Sequence, residues 1–155
     1  QTNRVAACYA QWERMRNEAA NDHVFDAAIP MLQALRQHNA TILAITNGAG
    51  TPLRMPKIAD YFDACISGED DYDLDGTHAG PRRKPDAYIF ERALRACGGD
   101  DDQDDLCWIH VGDCLVNDVA ASAKCGAKAI WMAGKEEAAQ NTGYSWSTAT
   151  PEEIA

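Results

Sequence analysis

The chain has 155 residues, with 24 acidic side chains against 14 basic ones and a formal net charge of −10. That length admits one domain with a real hydrophobic core, and that charge argues against nucleic acid or an anionic membrane as partner. No apolar run approaches the ~18 residues of a membrane span and no signal peptide is visible, so composition points to a soluble α/β domain.

In chain order, residues 4–20 read as a helix. Val5, Cys8, Tyr9, Trp12 and Met15 recur at steps of three and four and predict one buried stripe. Asn21-Asp22-His23 leads into a second helix near 26–38, with Ile29, Leu32 and Leu35 on its inner face. A strand near 41–47, a helical stretch near 51–60 and a short strand near 63–67 follow. Beyond an acidic loop come a helix near 86–97, a strand near 106–111, a helix near 117–125 ended by Gly126, and a strand near 128–132. This alternation predicts a mainly parallel sheet between helical layers. There is no internal repeat and no interdomain linker.

Three segments carry chemistry. The run Leu106 to Val111 is apolar apart from His110 and ends in Gly112-Asp113, and Asn117-Asp118 follows at the mouth of a helix. This places two carboxylates, Asp113 and Asp118, at the carboxyl end of a buried strand, where open α/β sheets bind ligands. Two hard oxygen donors there suit Mg²⁺. Upstream, the strand Thr41-Ile42-Leu43-Ala44-Ile45 ends in Thr46-Asn47-Gly48. It offers a hydroxyl and loop N–H groups to one phosphate. Between the two lies Arg82-Arg83-Lys84-Pro85-Asp86, with Pro85 suited to the first helical position and Lys84 held extended just ahead of that helix.

These segments, in this order, resemble the second, third and fourth motifs of the haloacid-dehalogenase-like (HAD) hydrolase superfamily, whose phosphatase branches carry GDxxxND. The resemblance implies a three-layer αβα Rossmann-like sandwich. It implies Asp113 and Asp118 as metal-site residues for Mg²⁺, and Thr46, Asn47, Gly48 and Lys84 as the phosphate-binding set. Thr46 and Lys84 would act in catalysis, Lys84 by balancing charge on the transferring group. Substrate choice in this superfamily resides largely in a mobile cap.

The superfamily's first motif, an apolar strand ending in Asp-x-Asp, has no match before Thr41. Its first Asp is the nucleophile. Asp73-Leu74-Asp75-Gly76-Thr77 spells that motif, but Gly68 to Tyr72 ahead of it is polar and reads as a turn, so this is an enlarged solvated loop. By resemblance, residues 1–22 are the remnant of a helical cap with its re-entry linker, and 23–155 are the core domain lacking the central first-motif strand. The absent initiator Met and the helix start Thr150-Pro151-Glu152-Glu153 read as a chain cut from a longer product. Removing a middle strand leaves unpaired groups costing on the order of 10 kcal/mol, against a total stability of about 5–15 kcal/mol. A missing N-terminal segment or a protein partner is therefore expected to complete the sheet.

The remaining candidates are structural. Six cysteines lie scattered without metal-ligand spacing; Cys65 and Cys107 in strands and Cys97 on a helix read as core thiols, which favours a reducing compartment, cytoplasm or organelle interior. Cys114, inside the fourth motif, is a candidate accessible thiol. His110 reads as a satisfied interior imidazole. Trp12, Trp108 and Trp131 fit core or interface positions, and the acidic run at 100–105 reads as a solvated loop. Two functional readings follow. One is a Mg²⁺-dependent phosphohydrolase of a small phosphate monoester, inactive as this chain alone because the nucleophile is absent. The other is a former enzyme kept as a structural or interaction subunit.

Overall fold

The computed structural model describes residues 2–70, 82–98 and 107–133. The acidic loop with its Asp73-Leu74-Asp75 run, the 100–105 run, and the segment holding Trp146 and Thr150 lie outside them. The chain divides into two compact units, residues 1–81 and 82–155. Each is α/β with parallel strands.

In the first unit, helix α1 spans Thr2–Asp22 and α2 spans Ala28–Gln37. Asn39, with φ 57°, turns the chain from α2 toward strand β1, Leu43–Thr46. Asparagine tolerates this left-handed conformation better than most residues. Two short 3₁₀ turns, Pro52–Arg54 and Ala59–Tyr61, replace the single helical stretch expected there, and β2 covers Ala64–Ser67. Thr51 opens the first turn by accepting the Leu53 N–H on its hydroxyl. Strands β1 and β2 pair in parallel, with Leu43 opposite Ala64 and Thr46 opposite Ser67. Among the described residues of this unit, Leu32, Ile58 and Ile66 are the buried apolar side chains.

A carboxylate clamps the start of both strands. Asp63 accepts two bonds of 2.9 Å from the Arg36 guanidinium and one of 2.7 Å from the Ile42 N–H. Its own N–H donates to the Ile42 carbonyl. The Arg36 bonds, then the Ile42 N–H, hold the Asp63 carboxyl below the ordinary carboxylate value.

Helix α1 departs from expectation. Its apolar stripe is exposed: Val5, Tyr9, Trp12 and Met15 are all more than half accessible. The face turned inward is polar instead. Asn17 is buried, Asn21 accepts the Lys57 N–H at 2.9 Å, and Glu13 pairs with Arg54 at 2.9 Å. Periodicity marks a face, and here polar contacts hold the opposite one.

In the second unit, α3 spans Ala87–Ala96, β3 Ile109–Gly112, a π-helical turn Leu115–Ala120, α4 Ala121–Lys124 and β4 Lys128–Trp131. Pro85 does not open α3 as expected. The Lys84–Pro85 peptide bond is cis, and Asp86 is the N-cap, its carboxylate accepting the Tyr88 N–H at 2.9 Å. Strands β3 and β4 pair in parallel, with His110 opposite Ala129. Ile89, Phe90 and Ser122 are fully enclosed, and the Phe90 ring meets Trp108 at 6.0 Å and His110 at 5.5 Å.

The four described strands thus form two two-stranded sheets, and β1 and β3 each carry a ladder on one side only. None of the four ends in Asp-x-Asp. The cysteines do not form a core as expected: Cys8, Cys97 and Cys107 are exposed, and Cys65, Cys114 and Cys125 are half-buried. Cys97 falls just past the end of α3 and Cys107 just before β3, where side chains leave the packed faces.

Candidate functional site

Two groups of side chains merit description, one in each unit. In the second, β3 ends at Gly112 and the π-helical turn brings Asp118 back beneath that strand end. The fit is tight: a Cβ on Gly112 would lie 2.3 Å from the Asp118 Cβ and 2.5 Å from its Oδ2. Glycine is therefore required at position 112 by close approach.

The Asp118 carboxylate is buried and held on both oxygens. Lys84 Nζ reaches Oδ1 at 2.5 Å, and the Cys114 N–H donates to Oδ2 at 3.0 Å. His110, also buried, brings Nε2 to 3.5 Å from Oδ1. That imidazole contact is long and poorly directed, so Nε2 lacks a full hydrogen bond and Lys84 is the stronger hold. Burial pushes the Asp118 carboxyl up, but His110, Lys84 and the Cys114 N–H together outweigh it. They leave the group well below the ordinary carboxylate range, hence ionised at neutral pH.

Asp113, one residue past β3, has an exposed side chain, while its carbonyl accepts the Trp131 indole N–H at 3.0 Å. Cys114 is turned to local structure rather than solvent alone, since its Sγ accepts the Asn117 N–H at 3.3 Å and caps the π-helical turn. Among the described residues no group of three or more His, Cys, Asp or Glu side chains is arranged to hold a metal ion.

In the first unit, Thr46 ends β1 and its Oγ1 accepts the Gly48 N–H at 3.2 Å. The hydroxyl proton is not used in that bond and can be donated elsewhere. Gly48 is fastened to the end of β2, because Ser67 Oγ donates to its carbonyl at 3.0 Å. The loop 47–50 is thus braced from both strands. The Arg16 guanidinium lies against it, a contact that nothing in the spacing of the sequence announces.

The sequence-derived set therefore divides. Lys84 and Asp118 are brought into direct contact, Asp113 stands exposed at the adjoining strand end, and Thr46, Asn47 and Gly48 belong to the first unit. His110 and the Cys114 N–H join the Lys84–Asp118 pair. Of these two, the sequence marks His110 in the strand just before Gly112, within reach of the site, and favours a satisfied interior imidazole. It is buried, but its Nε2 has no hydrogen-bond partner among the described residues.

Parallel strands flanked by helices give each unit an α/β architecture. A family model described as haloacid dehalogenase-like hydrolase matches residues 1–126, and the chain belongs to that family. Among solved structures it resembles an uncharacterized protein from Listeria monocytogenes serotype 4b, with TM-score 0.53 and 21% identity, over 73% of this chain and 62% of that one. That likeness shows the fold, and this chain spans less than two thirds of that protein's length. No curated protein matches the sequence. Among the described residues no helix is long and apolar enough to cross a membrane.

Proposed function

We propose that this HAD-like hydrolase cleaves a phosphate monoester with Mg²⁺, using a nucleophilic carboxylate from outside the described strands. The observation that carries this reading is the buried Lys84–Asp118 pair beneath the end of β3, with Asp113 exposed beside it. A buried lysine of fixed position is a preorganised positive charge, and such groups stabilise charge developing on a transferring phosphoryl.

A hard cation would find one exposed carboxylate at this strand end, Asp113. Asp113 would hold it, because Mg²⁺ is commonly bound through one or two carboxylates and keeps several waters. Asp118, with both oxygens engaged, would orient Lys84 and the surrounding shell. When bound, the ion would polarise a phosphoryl oxygen and neutralise its charge. As the resemblance implies, Thr46 would donate its hydroxyl proton to a phosphate, with Asn47 and Gly48 shaping its loop.

The test is Mg²⁺-stimulated hydrolysis of para-nitrophenyl phosphate by the natural protein, whose intact mass and N-terminal sequence are determined first. The reading expects an upstream strand ending in Asp-x-Asp, and activity that Lys84→Ala and Asp113→Asn each abolish. Activity unchanged in both variants would sink it. A second reading, an interaction subunit without turnover, is favoured by the exposed stripe Val5, Tyr9, Trp12 and Met15. It expects Gln1 to be the mature start, no hydrolysis, and a stoichiometric protein partner.

A further inference from the structure

We propose that Arg16 is an anion-recognition residue whose guanidinium closes over a phosphate held at the loop Thr46–Gly50. The inference rests on the proposed phosphohydrolase reading and names a binding residue that this reading did not include.

Three observations carry it. The guanidinium occupies space that a side chain on the loop would otherwise fill. A Cβ on Gly50 would lie 2.7 Å from Arg16 Nη2 and 3.2 Å from Cζ, and one on Gly48 would lie 3.8 Å from Nη2. Gly50 therefore admits the guanidinium to the loop backbone, in a loop whose Gly48 N–H donates to the Thr46 hydroxyl. Second, the group is positioned from behind. Trp12 and Arg16 stand one helical turn apart on α1, and Cζ lies 5.4 Å from the centre of the Trp12 ring.

Third, Arg16 has no acidic partner among the described residues, although carboxylates stand close by. Glu13 is engaged with Arg54 at 2.9 Å, and Asp70 accepts the Ser67 N–H at 3.0 Å. Arg14, two residues before it, faces Glu18 at 4.0 Å. In a chain of net charge −10, an unpaired guanidinium laid on a glycine loop is an unusual placement. Its donors form a rigid fork that matches phosphate oxygens, which an ammonium does not reproduce. Together the fork and the Thr46 hydroxyl would select dianionic phosphate groups over neutral ones.

The experiment is calorimetric titration of the protein with inorganic phosphate at fixed low salt, for the wild type and the Arg16→Ala, Arg16→Lys, Gly50→Ala and Thr46→Ala variants. Thermal melts establish that each is folded, and Arg16, being exposed, is not needed for the core. Arg16→Ala is expected to weaken binding about tenfold, and Arg16→Lys to recover part of the loss. Gly50→Ala, which displaces the guanidinium while leaving it in the chain, is expected to weaken binding as well. If Thr46→Ala weakens binding while Arg16→Ala and Gly50→Ala match the wild type, the inference is overturned and the loop's phosphate role stands. If all variants match the wild type, or the wild type binds no phosphate, both the Arg16 inference and the phosphate role of the loop fail.

Discussion

Asp118 concentrates the constraints on single residues. Its carboxylate is fixed by Lys84, by the Cys114 N–H and, at longer range, by His110, while its Cβ lies against Gly112. The lysine and aspartate side chains are only 12% and 6% exposed. Removing one partner of so buried a pair leaves an uncompensated charge, which costs about 3–5 kcal/mol. Asp118→Asn is therefore expected to destabilise by roughly 3 kcal/mol, and the doubly neutral Lys84→Met/Asp118→Asn variant by less than either single change. Urea unfolding of the three variants checks this; a double variant as unstable as the sum of the singles would contradict it. Gly112→Ala tests the packing independently of charge. The methyl group meets the Asp118 Cβ rather than a flexible side-chain end, so Asp118 must shift, at about 1–3 kcal/mol. The same shift would break the Lys84 contact, so any hydrolytic activity of the natural protein should fall with it.

At the level of elements, local chemistry decides where each one begins. Asp86 caps α3, and Asp86→Ala is expected to lower stability by about 1 kcal/mol. Asp63 ties α2, β1 and β2 together through Arg36 and Ile42, and this contact is titratable. Its folded value is depressed below 3.8, so the stabilisation is fully present above that pH and is lost as pH falls through the folded value. The pair is partly exposed, at 33% and 40%, so solvent screening limits it to about 1 kcal/mol at neutral pH. The difference in urea midpoint between wild type and Asp63→Asn should accordingly be present at pH 7 and shrink below pH 3.8. A difference that grew on acidification would refute the assignment. Much of this scale was legible in the sequence. The strands at 43–46, 64–67, 109–112 and 128–131 fall inside or within one residue of apolar runs bounded by turn residues. The start of α3 was misplaced because Pro85 satisfies a general preference for the first helical turn, whereas Asp86 makes the actual cap. The face of α1 was misread because spacing identifies an apolar stripe without saying what covers it. Arg16 was invisible because its contact joins residues more than thirty positions apart.

For the whole chain, the decisive quantity is how much strand edge and apolar surface the described residues leave open. Each sheet has two strands, and a two-stranded unit is marginal in water without further strands or packing. In the β3–β4 pair, residues opposite one another share a face, so Val111 and Ile130 lie side by side, flanked by Ile109 and Met132. All four are about half exposed. Native proteins seldom leave an edge and an adjoining apolar face open together, since the two offer backbone and side-chain partners to another chain. A first-motif strand supplied from elsewhere would cover both. Residues 1–155 studied by themselves should therefore associate as concentration rises, seen as a growing sedimentation coefficient. They should also bind a hydrophobic dye. Val111→Thr with Ile130→Thr keeps β-branching at both sites and removes apolar surface, so it should reduce association and dye binding without lowering the melting temperature. Amide hydrogens of β1 and β3 should exchange faster than those of α3, whose Tyr88, Ile89, Phe90 and Ala93 are buried. A monodisperse monomer with slow exchange in β1 and β3 would mean that the sheet edges are closed within these residues, and the requirement for an added strand would fall.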